Sequence, residues 1–330
     1  MKMQKIILPV VLFFCFTSFG QNKTPVPIIF DTDIAPDYDD VGAMALLHAF
    51  ADRGEARILA TISSNAFETT APTLSVLNTY FKRPGIPVGI TKTELPNKAC
   101  QQGWAQAIIQ KYPHAIRSNS EALDAVTLYR KLLASQPDNS VTIVTVGFFT
   151  NLAHLLSSVP DKFSSLDGMK LVAKKVKQLV SMATRLDKDS SEGSEFNVAV
   201  DAASSRKVLG EWPTPITLSG FGIGLEILTG IRLIHNESIK NSPVKDAFRI
   251  ALEKDHNKVG RYSWDETAVL VAVRGIGPYF NCTKLNFDIR EDGKNILIPG
   301  EKFCFLVFNQ KPSDIGKTIE DLMMHQPGQK

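Results

Sequence analysis

The chain has 330 residues, 44% of them hydrophobic and 22% charged, which is the balance of an ordinary globular protein with room for a large core. Its formal net charge of +3 gives no electrostatic case for binding nucleic acid. The cysteines show no CxxC pair and no metal-type spacing.

Residues 1–20 read as a secretion signal. Lys2 and Lys5 give a basic start, residues 6–16 form an apolar run broken only by Pro9, and Thr17, Ser18 and Gly20 supply small residues before Gln21. The run is too short to span a bilayer, so cleavage before Gln21 and export to the periplasm or beyond the cell are expected. Cys15 follows Phe13 and Phe14, a poor context for lipid attachment. Without Lys2 and Lys5 the chain carries 35 basic against 34 acidic residues. No later segment is long and apolar enough for a membrane helix, so no membrane partner is expected after cleavage.

Residues 26–30 form a short apolar run that ends in acidic residues, the pattern of a buried parallel strand with polar groups at its carboxyl end. A helix follows over 41–50, with Asp39 and Asp40 suited to its first turn. Further strands are expected at 58–62, 141–146, 179–182 and 216–219. Helices are expected at 69–81, from 151 to 158, at 202–209 and at 267–274. Strand and helix thus alternate from residue 26 to about 275, which implies an α/β fold with a mostly parallel open sheet and helices on both faces. Residues 280–287 and 302–308 read as a strand pair joined across Asp292 and Gly293, a small C-terminal β appendage. With no linker or repeat, residues 21–330 are expected to be one domain. Cys282 and Cys304 lie in that strand pair and are placed either to pair in an oxidising compartment or to stay as buried thiols.

The informative segment is 31–40, with five carboxylates, Asp31, Asp33, Asp37, Asp39 and Asp40, at a strand-to-helix turn. Like charges this close repel unless a cation neutralises them, and all-oxygen ligands suit hard cations such as Ca2+ and Mg2+. Asp33 at the strand end and Asp39 with Asp40 at the helix start can converge on one point above the sheet.

Asp31-Thr-Asp33 followed by Asp39-Asp40 resembles the signature of the inosine–uridine preferring nucleoside hydrolases, in the variant with an extra aspartate, here Asp37. Four more segments fit in that family's order: Ile62-Ser-Ser-Asn65, Gly147-Phe-Phe-Thr-Asn-Leu152, Glu195-Phe-Asn-Val-Ala-Val-Asp201 and Trp264-Asp265. The resemblance implies a calcium-dependent N-ribohydrolase that splits ribonucleosides, or a related riboside, into ribose and free base, with a place in purine and pyrimidine salvage. It implies that Asp33, Asp40, Asp265 and the Val146 carbonyl bind Ca2+, with the ribose 2′- and 3′-hydroxyls and a water completing the shell. Asp39 would be the general base that activates the water. Asn65, Glu195 and Asn197 would hydrogen-bond the ribose, and Met182 would line the sugar pocket. A homo-oligomer, dimer or tetramer, is also implied.

Three departures from the family pattern matter. Ala35 stands where glycine is usual. The asparagine often found upstream of the Glu-Phe-Asn motif is absent, and residues 187–192 stand there. Trp264 replaces a histidine proposed in many members to protonate the leaving base. Tryptophan can stack on a base but cannot protonate it. Tyr262 and His256 are the nearest candidate acids, and a substrate with a good leaving group would need none. One alternative is a weakly active riboside-binding protein on the same fold. Another is a phosphatase of the haloacid-dehalogenase type, with Asp31 as nucleophile. Against the latter, Ala35 departs from its pattern and Asp39 and Asp40 would have no use.

Overall fold

The structure is a computed structural model that describes residues 24–186 and 192–328. The expected leader, with Cys15, and the 187–191 stretch lie outside the described residues. Strands run in chain order as β1 (Val26–Thr32), β2 (Ala56–Ser63), β3 (Val88–Ile90), β4 (Leu123–Asp124), β5 (Val141–Thr145), β6 (Val176–Met182), β7 (Glu192–Ser194), β8 (Ile216–Ser219), β9 (Leu228–Thr229), β10 (Arg261–Tyr262), β11 (Phe280–Ile289) and β12 (Lys294–Phe308). The main sheet has the order β4-β3-β2-β1-β5-β6-β8-β12-β11. Every neighbouring pair from β4 through to β12 is parallel, and only β11 and β7 run antiparallel, both against β12. β9 and β10 form a separate two-stranded pair.

Alternate residues of the central strands feed two apolar cores. Ile28, Phe30, Val144 and Val180 face one layer of helices, and Ile29, Ile62, Ile143 and Leu179 face the other. This is the period-two pattern of strands buried on both faces. The helix Asp39–Asp52 and the helix Trp264–Arg274 pack together in the first layer. Gly42 sits at their contact, where a Cβ would lie 2.1 Å from Glu266 Oε1. No helix among the described residues is long and apolar enough to cross a membrane.

From β1 the chain winds outward through β2, β3 and β4, then returns to β5 on the other side of β1 and winds the opposite way. The crevice at the carboxyl ends of β1 and β5 is therefore the switch point where such sheets bind ligands. Gly147 lies there, so close to the end of β1 that a Cβ would fall 2.3 Å from the Asp33 nitrogen. The C-terminal strand pair expected as an appendage is hydrogen-bonded onto the edge of this sheet, β12 pairing with β8. Cys282 and Cys304 are joined by a disulfide across β11 and β12, and Cys100 is a buried free thiol.

Candidate active site

The acidic segment is a buried turn from β1 into the helix Asp39–Asp52. Asp31, still within β1, is fully buried. It accepts hydrogen bonds from the Tyr129 hydroxyl at 2.8 Å and from Asn151 Nδ2 at 3.0 Å. So enclosed, Asp31 has no access to a substrate, which removes the phosphatase alternative. Thr32 Oγ1 accepts from the Ile34 amide at 3.1 Å and donates to Asp40 Oδ1. Asp40 Oδ2 is left buried with no partner. Ala35 is buried and is not among the positive-φ residues, so it fits where the family pattern has glycine.

One cavity at the switch point is lined by Asp33, Asp37, Asp39, Asp40 and Asp265, with the Val146, Met182, Glu195 and Asn197 positions beside them. Carboxylate oxygens of Asp39, Asp40 and Asp265 lie within 4.8 Å of one another. Asp33 lines the same cavity outside that closest trio. Val146 and Met182 follow or end β5 and β6, so they reach the cavity from the sheet edge. Glu195 caps the short helix Phe196–Val200, accepting from the Asn197 amide at 2.8 Å and the Val198 amide at 3.2 Å. Asn197 Nδ2 donates to the Val146 carbonyl at 3.0 Å, which ties this helix to the end of β5.

Asn65 requires a correction. It was expected at the ribose, but it does not line the cavity and is fully buried. Its Nδ2 donates to the carbonyls of Asp33 at 2.9 Å and Lys98 at 2.8 Å, and its Oδ1 accepts from the amides of Phe67 and Lys98. With the whole amide spent on backbone, Asn65 braces the strand end instead of presenting a group to a ligand.

The opposite wall was only partly foreseen. It consists of Phe196, Phe221, Trp264 and Arg261. Trp264 stacks on Phe221 at 5.1 Å and gives its indole N–H to the Phe221 carbonyl at 2.8 Å. Arg261 is the residue that sequence reasoning missed. Its Nε and Nη2 donate to Asp39 Oδ1 at 3.0 and 2.8 Å, and Nη2 lies 2.5 Å from Asp37 Oδ1. The guanidinium also lies over the rings of Tyr38, at 4.9 Å, and Trp264, at 5.0 Å. Its acidic partners are some 220 residues earlier, so no local spacing announces the pair. Tyr262 and His256 are not among the residues lining the cavity.

Residues 28–323 match the inosine-uridine preferring nucleoside hydrolase family. The chain belongs to that family. No curated protein matches it. Among solved structures it is similar to the purine-preferring ribonucleoside hydrolase from Gardnerella vaginalis, with 15% identity, 90% of this chain and 99% of that one covered, and a TM-score of 0.68. The inosine-uridine preferring nucleoside hydrolase from Bacillus anthracis is similar at 14% identity over 91% and 99% of the two chains, with a TM-score of 0.67. The type III effector protein XopQ complexed with adenosine diphosphate ribose is similar at 13% identity over 92% and 94%, with a TM-score of 0.69. At these identities the likeness is one of fold.

The electrostatics of this nucleoside hydrolase fold fit a cation. Burial first, then the neighbouring carboxylates, push Asp33, Asp40 and Asp265 well above the usual carboxylate range. Burial also raises Asp39, against the pull of Arg261. Glu266, fully buried with both oxygens unpartnered, is pushed up by burial and by Asp39. A divalent cation among these oxygens would supply the missing partner of Asp40 Oδ2 and relieve the repulsion. Burial lifts Glu195 to about 7.

Proposed function

We propose that the protein is an exported N-ribohydrolase that splits the N-glycosidic bond of ribonucleosides, or of a related riboside, with Ca2+ as its cation. The observation that carries this reading is the buried convergence of Asp39, Asp40 and Asp265 around the unpartnered Asp40 Oδ2. In this reading Asp33, Asp40, Asp265 and the Val146 carbonyl hold the ion. The Val146 oxygen has a second lone pair beside the one that Asn197 uses. When bound, the ion supplies Lewis acidity. Asp39 takes the proton of the attacking water. Glu195 and Asn197 hold the ribose hydroxyls and Met182 closes the sugar side. The carboxylates favour the positive charge that develops on the sugar in an oxocarbenium-like transition state.

The base then lies along Phe196, Phe221 and Trp264. Trp264 has no proton to give, so turnover depends on how well the base leaves unassisted. The leader-like residues 1–20 and the Cys282–Cys304 disulfide support export to the periplasm or beyond. We extend the reading to a dimer or tetramer of identical chains, which light scattering of the purified protein tests.

The decisive experiment follows reducing-sugar release from inosine, uridine, nicotinamide riboside and nitrophenyl riboside, with and without a calcium chelator. Release that disappears with chelator and returns with added calcium is the expected result. Tight riboside binding without release would favour the second reading, a binding protein, which the similarity to an effector solved with adenosine diphosphate ribose supports.

A further inference from the structure

We infer that Arg261, with Asp37 behind it, is the positioning residue that holds Asp39 in its working orientation; this rests on the proposed riboside hydrolysis. A lone aspartate rotates broadly about its last torsion, so either oxygen can face a substrate. In this site the choice is made by two donors. Arg261 Nε and Nη2 both bind Asp39 Oδ1, at 3.0 and 2.8 Å. Asp39 Oδ2 receives no side-chain donor among the described residues and is the oxygen left for the water. The guanidinium is itself fixed, by Asp37 Oδ1 at 2.5 Å and by the rings of Tyr38 and Trp264 at 4.9 and 5.0 Å. Asp37 is the extra aspartate of the acidic turn, and its side chain is 42% exposed, so it reaches Arg261 from the rim.

Stability does not explain the arrangement. Desolvating two charges offsets most of the attraction between them, so a buried ion pair is a poor way to hold a fold together. A planar fork that closes on one oxygen is instead a good way to aim a carboxylate, and a lysine, as a single point charge, cannot reproduce it. The pair also joins the two walls of the cavity, because Arg261 stands three residues before Trp264 in the chain and touches its ring.

The test uses the full mature protein with calcium. Arg261→Ala is expected to lower kcat on nitrophenyl riboside by about 100-fold, the scale of a misaimed catalytic group. KM and calcium content should stay within a few-fold of wild type. Added ethylguanidinium should restore a large part of kcat, ethylammonium should not, and Arg261→Lys should stay low. Asp37→Ala keeps both bonds to Asp39 and loses only the outer anchor. It should fold like the wild type and lose several-fold in kcat, which keeps the inference testable if Arg261→Ala does not fold. An unchanged kcat in either variant, a loss confined to KM, or equal rescue by ethylammonium would overturn the inference. A wild type that releases no sugar from any riboside would overturn the proposed function and the inference with it. An active wild type matched by Arg261→Ala would overturn the inference alone.

Discussion

The two walls of the cavity are built by opposite means. The carboxylate wall comes almost whole from one ten-residue turn, 31–40, with Asp265 added from the far end of the chain. The aromatic wall is gathered from positions 196, 221, 261 and 264; Phe221, Trp264 and Arg261 hold one another by ring contacts and a bond to backbone, and Phe196 packs on Phe148. The first wall is repelled from within and calls for a cation. The second is already saturated: Trp264 spends its N–H and a ring contact inside the protein. Under the proposed function, the contrast puts the chemistry in the carboxylates and the discrimination among substrates in the aromatics.

The sharpest way to break this contrast is to remove Asp39, the proposed base. Asp39→Ala should lower kcat by at least about 100-fold, the scale of a lost proton acceptor. Calcium content, measured by elemental analysis, should be retained. Loss of the metal in this variant would move Asp39 from base to ligand and put Asp33 in doubt as one. Next in size is the cation itself. In wild type, calcium at about 100 times its Kd should stabilise the fold by about 2.7 kcal/mol, read from thermal melts. Asp265→Asn should lose most of that gain. No thermal shift with calcium in the wild type would leave the carboxylate wall without its cation.

The aromatic wall is tested by the leaving group. The wild type should turn over nitrophenyl riboside at least about tenfold faster than inosine if, as proposed, no side chain protonates the purine. Equal kcat values would reveal a proton donor, and Tyr262→Phe with His256→Ala would be the variants to locate it. The smallest effect concerns Asp31, fully buried near the end of β1. Burial lifts its carboxyl from 3.8 to about 7, against the hydrogen bonds from Tyr129, Asn151 and Ser64. Between those values the folded protein keeps a proton that the unfolded chain has lost. This contribution to stability is fully present below pH 3.8 and is lost as the pH rises through about 7. Asp31→Asn should therefore show a shallower fall of melting temperature with rising pH than the wild type, at fixed free calcium. Parallel curves would mean that Asp31 is ionised in the fold.

How much of this was legible follows from where the signals lie in the chain. β1, β2, β5 and the helix Asp39–Asp52 were readable because continuous apolar runs and first-turn acids are local patterns. The carboxylate wall was readable for the same reason. The helices Ala125–Ser135 and Pro243–Lys254 lie outside the expected elements, although each carries an ordinary start signal, an N-cap Asp124 and an N-cap Ser242 before Pro243. Arg261 was not readable, since its role exists only once Asp37 and Asp39 are folded against it. Asn65 was misassigned for a related reason. Its motif is the same whether the amide faces a sugar or the backbone of Asp33 and Lys98, and only the fold distinguishes the two.

Gly42 and Glu266 together carry a consequence for how this sequence can change. A glycine in the middle of a helix costs about 1 kcal/mol relative to alanine. At position 42 its missing side chain is the space into which the Glu266 carboxyl fits. The two positions therefore share one volume. A methyl group gained at residue 42 must be matched by a shorter side chain at residue 266, and the single replacements should be worse than their combination. Because residue 266 follows Asp265 directly, this exchange of volume takes place next to a residue that lines the cavity.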